Sequence, residues 1–178
     1  MKNTALLVVD MQAALVQGAP YRVDTVLQNI AALLAACRKS GVPVIYVQHN
    51  GGKGDELEHG TPGWQAASAL TPQIGEPTFE KHFNSAFRQT GLHAYLARQG
   101  IQHLILVGMQ TEYCLDTTCK AAFELGYQIT IPQGTVTTFD NAFASAQKLT
   151  QYYENCIWQG RFAAVQPMDT VLCAVQNG

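Results

Sequence analysis

Apolar residues fall along this chain in two alternating rhythms. Residues 5–9 (ALLVV) form an unbroken apolar run, the pattern of a strand covered on both faces. Val23, Leu27, Ile30, Leu34 and Cys37 then recur at spacings of three and four, the stripe of an amphipathic helix. Gly41 follows them where helices commonly stop. Residues 43–47 (PVIYV) predict a second strand. Residues 48–63 break the rhythm with Gly51, Gly52, Gly54, Gly60, Pro62 and Gly63 among polar residues, so a long irregular loop is expected there. After another Pro- and Gly-containing stretch comes a short extended segment at 79–81. Thr90 is placed to cap a helix that ends at Gly100. Residues 103–107 predict a third strong strand, and Gly108 opens a turn into a helix over 111–125 that Gly126 stops. A strand at 127–131 follows, then a helix capped by Asp140 and reaching Cys156. A last strand near 162–165 precedes a short helix after Pro167.

This alternation, with no internal repeat or low-complexity linker, predicts a three-layer α/β/α domain over residues 1–178. Its sheet would be mostly parallel and Rossmann-like, with about six strands and right-handed crossovers. In such sheets ligands gather at the carboxyl ends of the strands, near the reversal of strand order. Asp10, the loop after Val47, Lys81 and the turn after Val107 all fall there. No G-x-G-x-x-G follows the first strand, so a dinucleotide site is poorly supported.

Composition narrows the function classes. With 11 basic and 13 acidic residues the net charge is -2, and no run of like charge occurs. Nucleic-acid and membrane-surface binding, which need clustered Lys and Arg, are not expected. No apolar stretch approaches the ~18 residues of a membrane span. The opening run stops at Asp10 and follows one basic residue, too short for a signal peptide. The five cysteines (Cys37, Cys114, Cys119, Cys156, Cys173) are odd in number and include no C-x-x-C pair, which suits a reducing cytoplasm better than a disulfide scaffold.

Three places carry candidate chemistry. Asp10 ends an apolar strand, and a carboxylate there either caps a turn or needs a buried partner. Lys81 lies in Phe79-Glu80-Lys81-His82-Phe83; by default such a lysine lays its stem over apolar neighbours and keeps its amine in water. In Gly108-Met109-Gln110-Thr111-Glu112-Tyr113-Cys114, a cysteine falls in the first turn of a helix. The partial positive charge of that helix end favours a thiolate, and its N–H groups could hold an oxyanion. Cys37, Cys156 and Cys173, set in helical patterns, are expected to be buried and inert. Cys119 is five positions past Cys114 and faces elsewhere on the helix.

Together the segments Leu7-Val8-Val9-Asp10-Met11-Gln12, Lys81-x-x-x-Ser85-Ala86-Phe87 and Gly108-x-x-Thr111-x-x-Cys114 resemble the isochorismatase-like cysteine hydrolases. That group includes nicotinamidases, carbamoyl-amino-acid amidohydrolases and isochorismatases. Ala121-Ala122-x-x-Leu125-Gly126-Tyr127 extends the likeness over nearly the whole chain. The resemblance implies a triad in which Asp10 is the general acid–base, Lys81 holds Asp10 and favours the thiolate, and Cys114 forms a thioester. It also implies a cis Met109–Gln110 peptide, an oxyanion hole of the Gln110 and Cys114 N–H groups, and assembly as a dimer or tetramer.

Nicotinamidase-like members of this group use an Asp-x-His pair for a metal, but here the stretch reads Val47-Gln48-His49-Asn50. His49, Asp55 and His59 could still approach one another, but scattered loop acids are usually solvated, so no metal and no cofactor are expected. Expected pocket walls are Gln12, His49, Trp64, His82, Phe83, Phe87 and Tyr113, a partly aromatic lining with neutral polar groups, better suited to an amide than to a dianion. The expected reaction is hydrolysis of a C–N bond in a small amide, lactam or ureido compound. Vinyl-ether hydrolysis of the isochorismatase type is the alternative reaction. A redox-responsive or binding protein on the same fold is the non-enzymatic alternative.

Overall fold

In the computed structural model, which describes residues 1–177, every residue of strand β1 (Thr4–Val9) is buried. Successive strand side chains point to opposite faces, so β1 feeds two cores. Ala5, Leu7 and Val9 pack on one side, Leu6 and Val8 on the other. β2 (Val44–His49) divides likewise, Ile45 and Val47 against Val44 and Tyr46. Beyond the shorter β3 (Thr78–Lys81), β4 (His103–Met109) sends Leu104 and Leu106 one way and Ile105 and Val107 the other. β5 (Gln128–Pro132), β6 (Val136–Thr137) and β7 (Ala164–Gln166) complete the sheet.

The helices are α1 (Ala13–Gln17), α2 (Val23–Ser40), α3 (Leu92–Arg98), α4 (Asp116–Glu124), α5 (Ala146–Tyr152) and α6 (Met168–Asn177). From α2 and α6, Val26, Ile30, Leu33, Leu34, Cys37, Val171 and Val175 cover the Leu6/Val8 face. Leu92 and Leu96 of α3, Cys119 and Ala122 of α4, and Trp158 cover the other. Each large aliphatic side chain buried this way stabilises the fold by roughly 1.5–3 kcal/mol. The result is a three-layer α/β/α sandwich.

All pairings between the named strands are parallel, in the order β3-β2-β1-β4-β5-β7, with β6 beside β4. The chain builds outward from β1 to β3, then returns to lay β4 on the other flank of β1. That reversal opens a crevice at the carboxyl ends of β1 and β4. Gly108 makes the close approach of these strands feasible: a Cβ there would sit 2.0 Å from the Val9 carbonyl oxygen, at φ +127°.

Several boundaries differ from the sequence pattern. Gly41 does end α2 in the left-handed conformation, φ 69°. The N-cap of α3 is Gly91 rather than Thr90, although the Thr90 hydroxyl accepts from Leu92 N. The 111–125 helix opens with a π-helical turn, Thr111–Leu115, before α4. Asp140 does not begin a helix. α5 is capped by Ser145, while the Asp140 carboxylate accepts from Ala146 N at 2.7 Å. The two-residue β6 and five-residue α1 are too short to show a period. Cys156 and Cys173 are exposed, against expectation. Each lies two residues from buried neighbours on both sides (Glu154 and Trp158; Val171 and Val175), hence on the opposite helical face. Cys37 and Cys119 are buried.

Candidate active site

Asp10 leaves β1 at the crevice with φ 52°, in the left-handed region, its N–H still donating to Val47 O at 2.9 Å. Lys81 ends β3, where His49 is its register partner on β2. Cys114 projects from the π-helical turn that follows β4. Three strand ends thus bring together residues separated by more than a hundred positions.

Lys81 does not behave as a surface lysine, being 1% exposed. Its Nζ lies 2.7 Å from Asp10 Oδ2, 3.3 Å from Cys114 Sγ and 3.3 Å from His49 Nδ1. An ammonium has three N–H donors, and each of these contacts takes one. Asp10 is also buried, and its second oxygen, Oδ1, has no hydrogen-bond partner in the protein. A buried carboxylate tied on one oxygen and free on the other is equipped to accept a proton.

Burial first, and then the Asp10 carboxylate, push the Cys114 thiol up to about 12, with Lys81 pulling the other way. The thiolate expected from a helix N-terminus is therefore not the resting state. The thiol is half-buried beside an anion, and both effects favour its protonated form. Burial, then Lys81, hold His49 below its ordinary range, so its ring is neutral at pH 7 and Nδ1 accepts from Lys81. The Cys114 shift has a direct chemical consequence. With the thiol pushed this far up, thiolate is a small minority of Cys114 near neutral pH. Iodoacetamide at pH 8 is expected to alkylate exposed Cys156 and Cys173 first. Cys114 labelling should rise about tenfold per pH unit, which peptide mass mapping would follow. Preferential labelling of Cys114 at pH 7 would contradict this electrostatic account.

A cleft of about 180 Å³ opens over the sulfur, lined by Asp10, Leu15, His49, Leu57, Asn84, Gln110, Tyr113 and Cys114. Of the expected walls, His49 and Tyr113 line it. His82 and Phe83 line an adjoining recess that shares Asn84 with the cleft. Gln12, Trp64 and Phe87 do not line it. Gln12 is fully buried and ties the 48–63 loop: its amide exchanges hydrogen bonds with His49 N and O and donates to Trp64 O. The Trp64 ring packs on His59, and Phe87 stacks on Tyr127 in the core. Leu15, Leu57 and Asn84 escaped the sequence reading. They come from α1, the irregular loop and the segment after β3, where no periodicity marks a side chain's direction. The Met109–Gln110 peptide is cis.

The residues here do not fit the Asp-x-His metal arrangement. His49 Nδ1 is engaged by an ammonium, and the Glu80 carboxylate is shared between His59 and His82. Among the described residues no group of three or more His, Cys, Asp or Glu is arranged to hold a metal ion. Among them also, no helix is long and apolar enough to cross a membrane.

Fold and site together define a class: three-layer α/β/α proteins with an acid, an amine and a thiol at the carboxyl edge of a parallel sheet. Residues 4–162 match the isochorismatase domain model, and the chain belongs to the isochorismatase family, a family of hydrolases. Streptothricin hydrolase of Streptomyces noursei is 35% identical over 138 residues, covering 76% of this chain and 50% of that protein. The chain thus spans about half the length of that curated relative. Ureidoacrylate amidohydrolase RutB of Cronobacter turicensis is 30% identical over 165 residues, 71% of each protein. The crystal structure of an isochorismatase family protein superposes with a TM-score of 0.87 at 36% identity, covering 93% of this chain and 99% of that one.

Proposed function

We propose that this protein hydrolyses a C–N bond of a small amide, lactam or ureido compound through a thioester on Cys114. The observation that carries the reading is Lys81 Nζ, at 2.7 Å from Asp10 Oδ2 and 3.3 Å from Cys114 Sγ, with Asp10 Oδ1 left free.

A thiol that rests protonated needs a base close by, and Asp10 is that base. As substrate enters, the thiol proton passes to Asp10 and Sγ attacks the carbonyl carbon. The C–S bond forms and the carbonyl π pair moves onto oxygen, where the Gln110 and Cys114 backbone N–H groups receive the charge. When the tetrahedral centre collapses, the C–N bond breaks and Asp10 returns its proton to the departing nitrogen. Water then adds to the thioester, giving its proton to Asp10. The C–S bond breaks, the acid leaves, and Cys114 recovers its proton. Lys81 steadies the carboxylate and the developing thiolate throughout.

The cleft supports a neutral substrate. None of its described lining residues is an arginine, and Asn84, neutral His49 and Tyr113 offer uncharged hydrogen-bonding groups. A relative whose name is ureidoacrylate amidohydrolase supports a ureido C–N bond as the bond cleaved, although the compound in its name also carries a carboxylate. The reading takes the chain as a cytoplasmic homo-oligomer, supported by its free cysteines and by the fully exposed Ile74 and Phe143.

The test is a panel of primary amides, lactams and ureido acids incubated with wild-type protein and acid-quenched. A primary amide should add its acyl mass to the peptide containing Cys114 and release one ammonia per turnover, whereas a lactam should add its whole mass because its nitrogen stays tethered to the acyl group. Turnover with no Cys114 adduct under single-turnover conditions, or a panel of vinyl ethers cleaved while every amide survives, would replace this mechanism.

A further inference from the structure

A second cavity, of about 160 Å³, lies between α2, the 133–136 segment and α5, and shares no lining residue with the cleft over Cys114. Its rim is polar and exposed, with Arg22, Gln147 and Gln151. Its floor is buried and includes Val136, Thr150 and Glu154. Thr150 and Glu154 are 7% and 9% exposed, and Thr150 Oγ1 and Glu154 Oε1 have no hydrogen-bond partner in the protein. None of the ion pairs among the described residues involves Glu154. Burial accordingly pushes its carboxyl above the ordinary carboxylate range. Glu154 belongs to the π-helical turn Tyr153–Trp158, an irregularity that recurs at functional sites. The catalytic machinery uses none of these groups.

We propose that this cavity is a second ligand site, which takes a small primary ammonium ion on Glu154 and Thr150. A primary ammonium carries one positive charge and three N–H donors. The carboxylate balances the charge, and the carboxylate and hydroxyl oxygens accept two of the donors. Gln147 and Gln151 line the rim and offer amide oxygens for the third, and a short alkyl group would pack against Val136. Arg22 at the exposed rim makes no ion pair with Glu154, so a neutral amide would leave the buried carboxylate unpaired and the cation is the better match. Where Glu154 is protonated before binding, its proton leaves to solvent as the ammonium enters, and the cavity stays neutral.

The site has a physical route to the other cleft. Val136 pairs with Gly108 and Thr137 with Met109, and the Thr111 hydroxyl donates to Thr137 O at 3.1 Å. The wall of this cavity is thus hydrogen-bonded to the turn that presents Gln110. Ammonium, the nitrogen product of primary-amide hydrolysis, has the same charge and the N–H donors that this site would use. That connection rests on the amidase reading; the binding itself does not.

Thermal melts of the full-length protein in methylammonium chloride, against tetramethylammonium chloride at equal ionic strength, test the site without requiring turnover. Methylammonium should raise Tm saturably; tetramethylammonium, which has no N–H, should not. Glu154→Gln should weaken the response about tenfold or more, and Thr150→Val by a smaller factor. Carbon-13 NMR of the wild-type Glu154 carboxyl should show its titration midpoint falling as methylammonium is added, a readout that survives if Glu154→Gln fails to fold. Equal responses to the two salts, no response to either, an unaltered response in folded Glu154→Gln, or an unmoved Glu154 midpoint would each overturn the assignment.

Discussion

Cys114→Ala should lower turnover of any amide substrate by on the order of 10⁵-fold while leaving the fold and its melting temperature nearly unchanged. The fold should tolerate it because the sulfur is only half-buried and its hydrogen bonds are long: 3.3 Å from Lys81 Nζ and 3.9 Å to Asn84 Oδ1. Activity should not tolerate it, because no other thiol reaches the cleft. Cys119, nearest in sequence, is sealed in the core, and the remaining described lining offers no other nucleophile of comparable strength. Asp10→Asn is isosteric and should lose activity to a similar degree, since an amide cannot take the thiol proton. The two losses should not add, because nucleophile and base act in one step. Initial rates for Cys114→Ala, Asp10→Asn and the double variant provide the comparison. A Cys114→Ala protein within tenfold of wild type would remove the thioester and leave Asp10 acting on water or directly on substrate.

What the sequence made legible, and what it hid, divides along physical lines. β1 and β4 are legible because both of their faces are buried, so nearly every position must be apolar and polar residues mark their ends. Asp10 and Gly108 stand at those ends. Gly108 also carries its own reason, since any Cβ would strike the Val9 carbonyl. Cys114 is legible through its offset from that glycine. Lys81 is not legible from local pattern: Phe79 and Phe83 beside it fit a surface lysine as well as a buried one, and only Asp10, 71 positions away, explains its burial. The family resemblance supplied that pairing.

The cleft walls were hidden for another reason. Gln12, Trp64 and Phe87 lie close to the right segments, but a hydrogen-bonded amide and two packed rings turn elsewhere. Leu15 and Leu57 reach the site because Gln12 binds the 48–63 loop to the end of β2. Gln48 adds a second tie through its own hydrogen bond to Trp64 O at 2.8 Å. This is tertiary bookkeeping between segments with no period of their own. The π-helical turn at Thr111–Leu115 was likewise invisible, because its residues are as acceptable in an α-helix.

The buried pair at the centre of the site makes the largest stability prediction. Lys81→Met keeps much of the side-chain length and removes the charge. It leaves Asp10, 2% exposed, with neither the 2.7 Å ammonium contact on Oδ2 nor any partner on Oδ1. Breaking a buried pair from one side costs about 3–5 kcal/mol, because the surviving charge is stranded in low dielectric. Lys81→Met should therefore unfold at distinctly lower urea with an unchanged slope. Asp10→Asn combined with Lys81→Met removes both charges and should regain much of that loss while remaining inactive. The thiol offers an independent readout. Lys81 pulls the Cys114 thiol down against burial and Asp10, so without it the thiolate becomes scarcer and Cys114 alkylation at a given pH slows further. A Lys81→Met protein as stable as wild type, with Cys114 alkylated no more slowly, would show that the ammonium neither steadies Asp10 nor acts on the sulfur. Chemistry built on that three-way contact would then have to be abandoned.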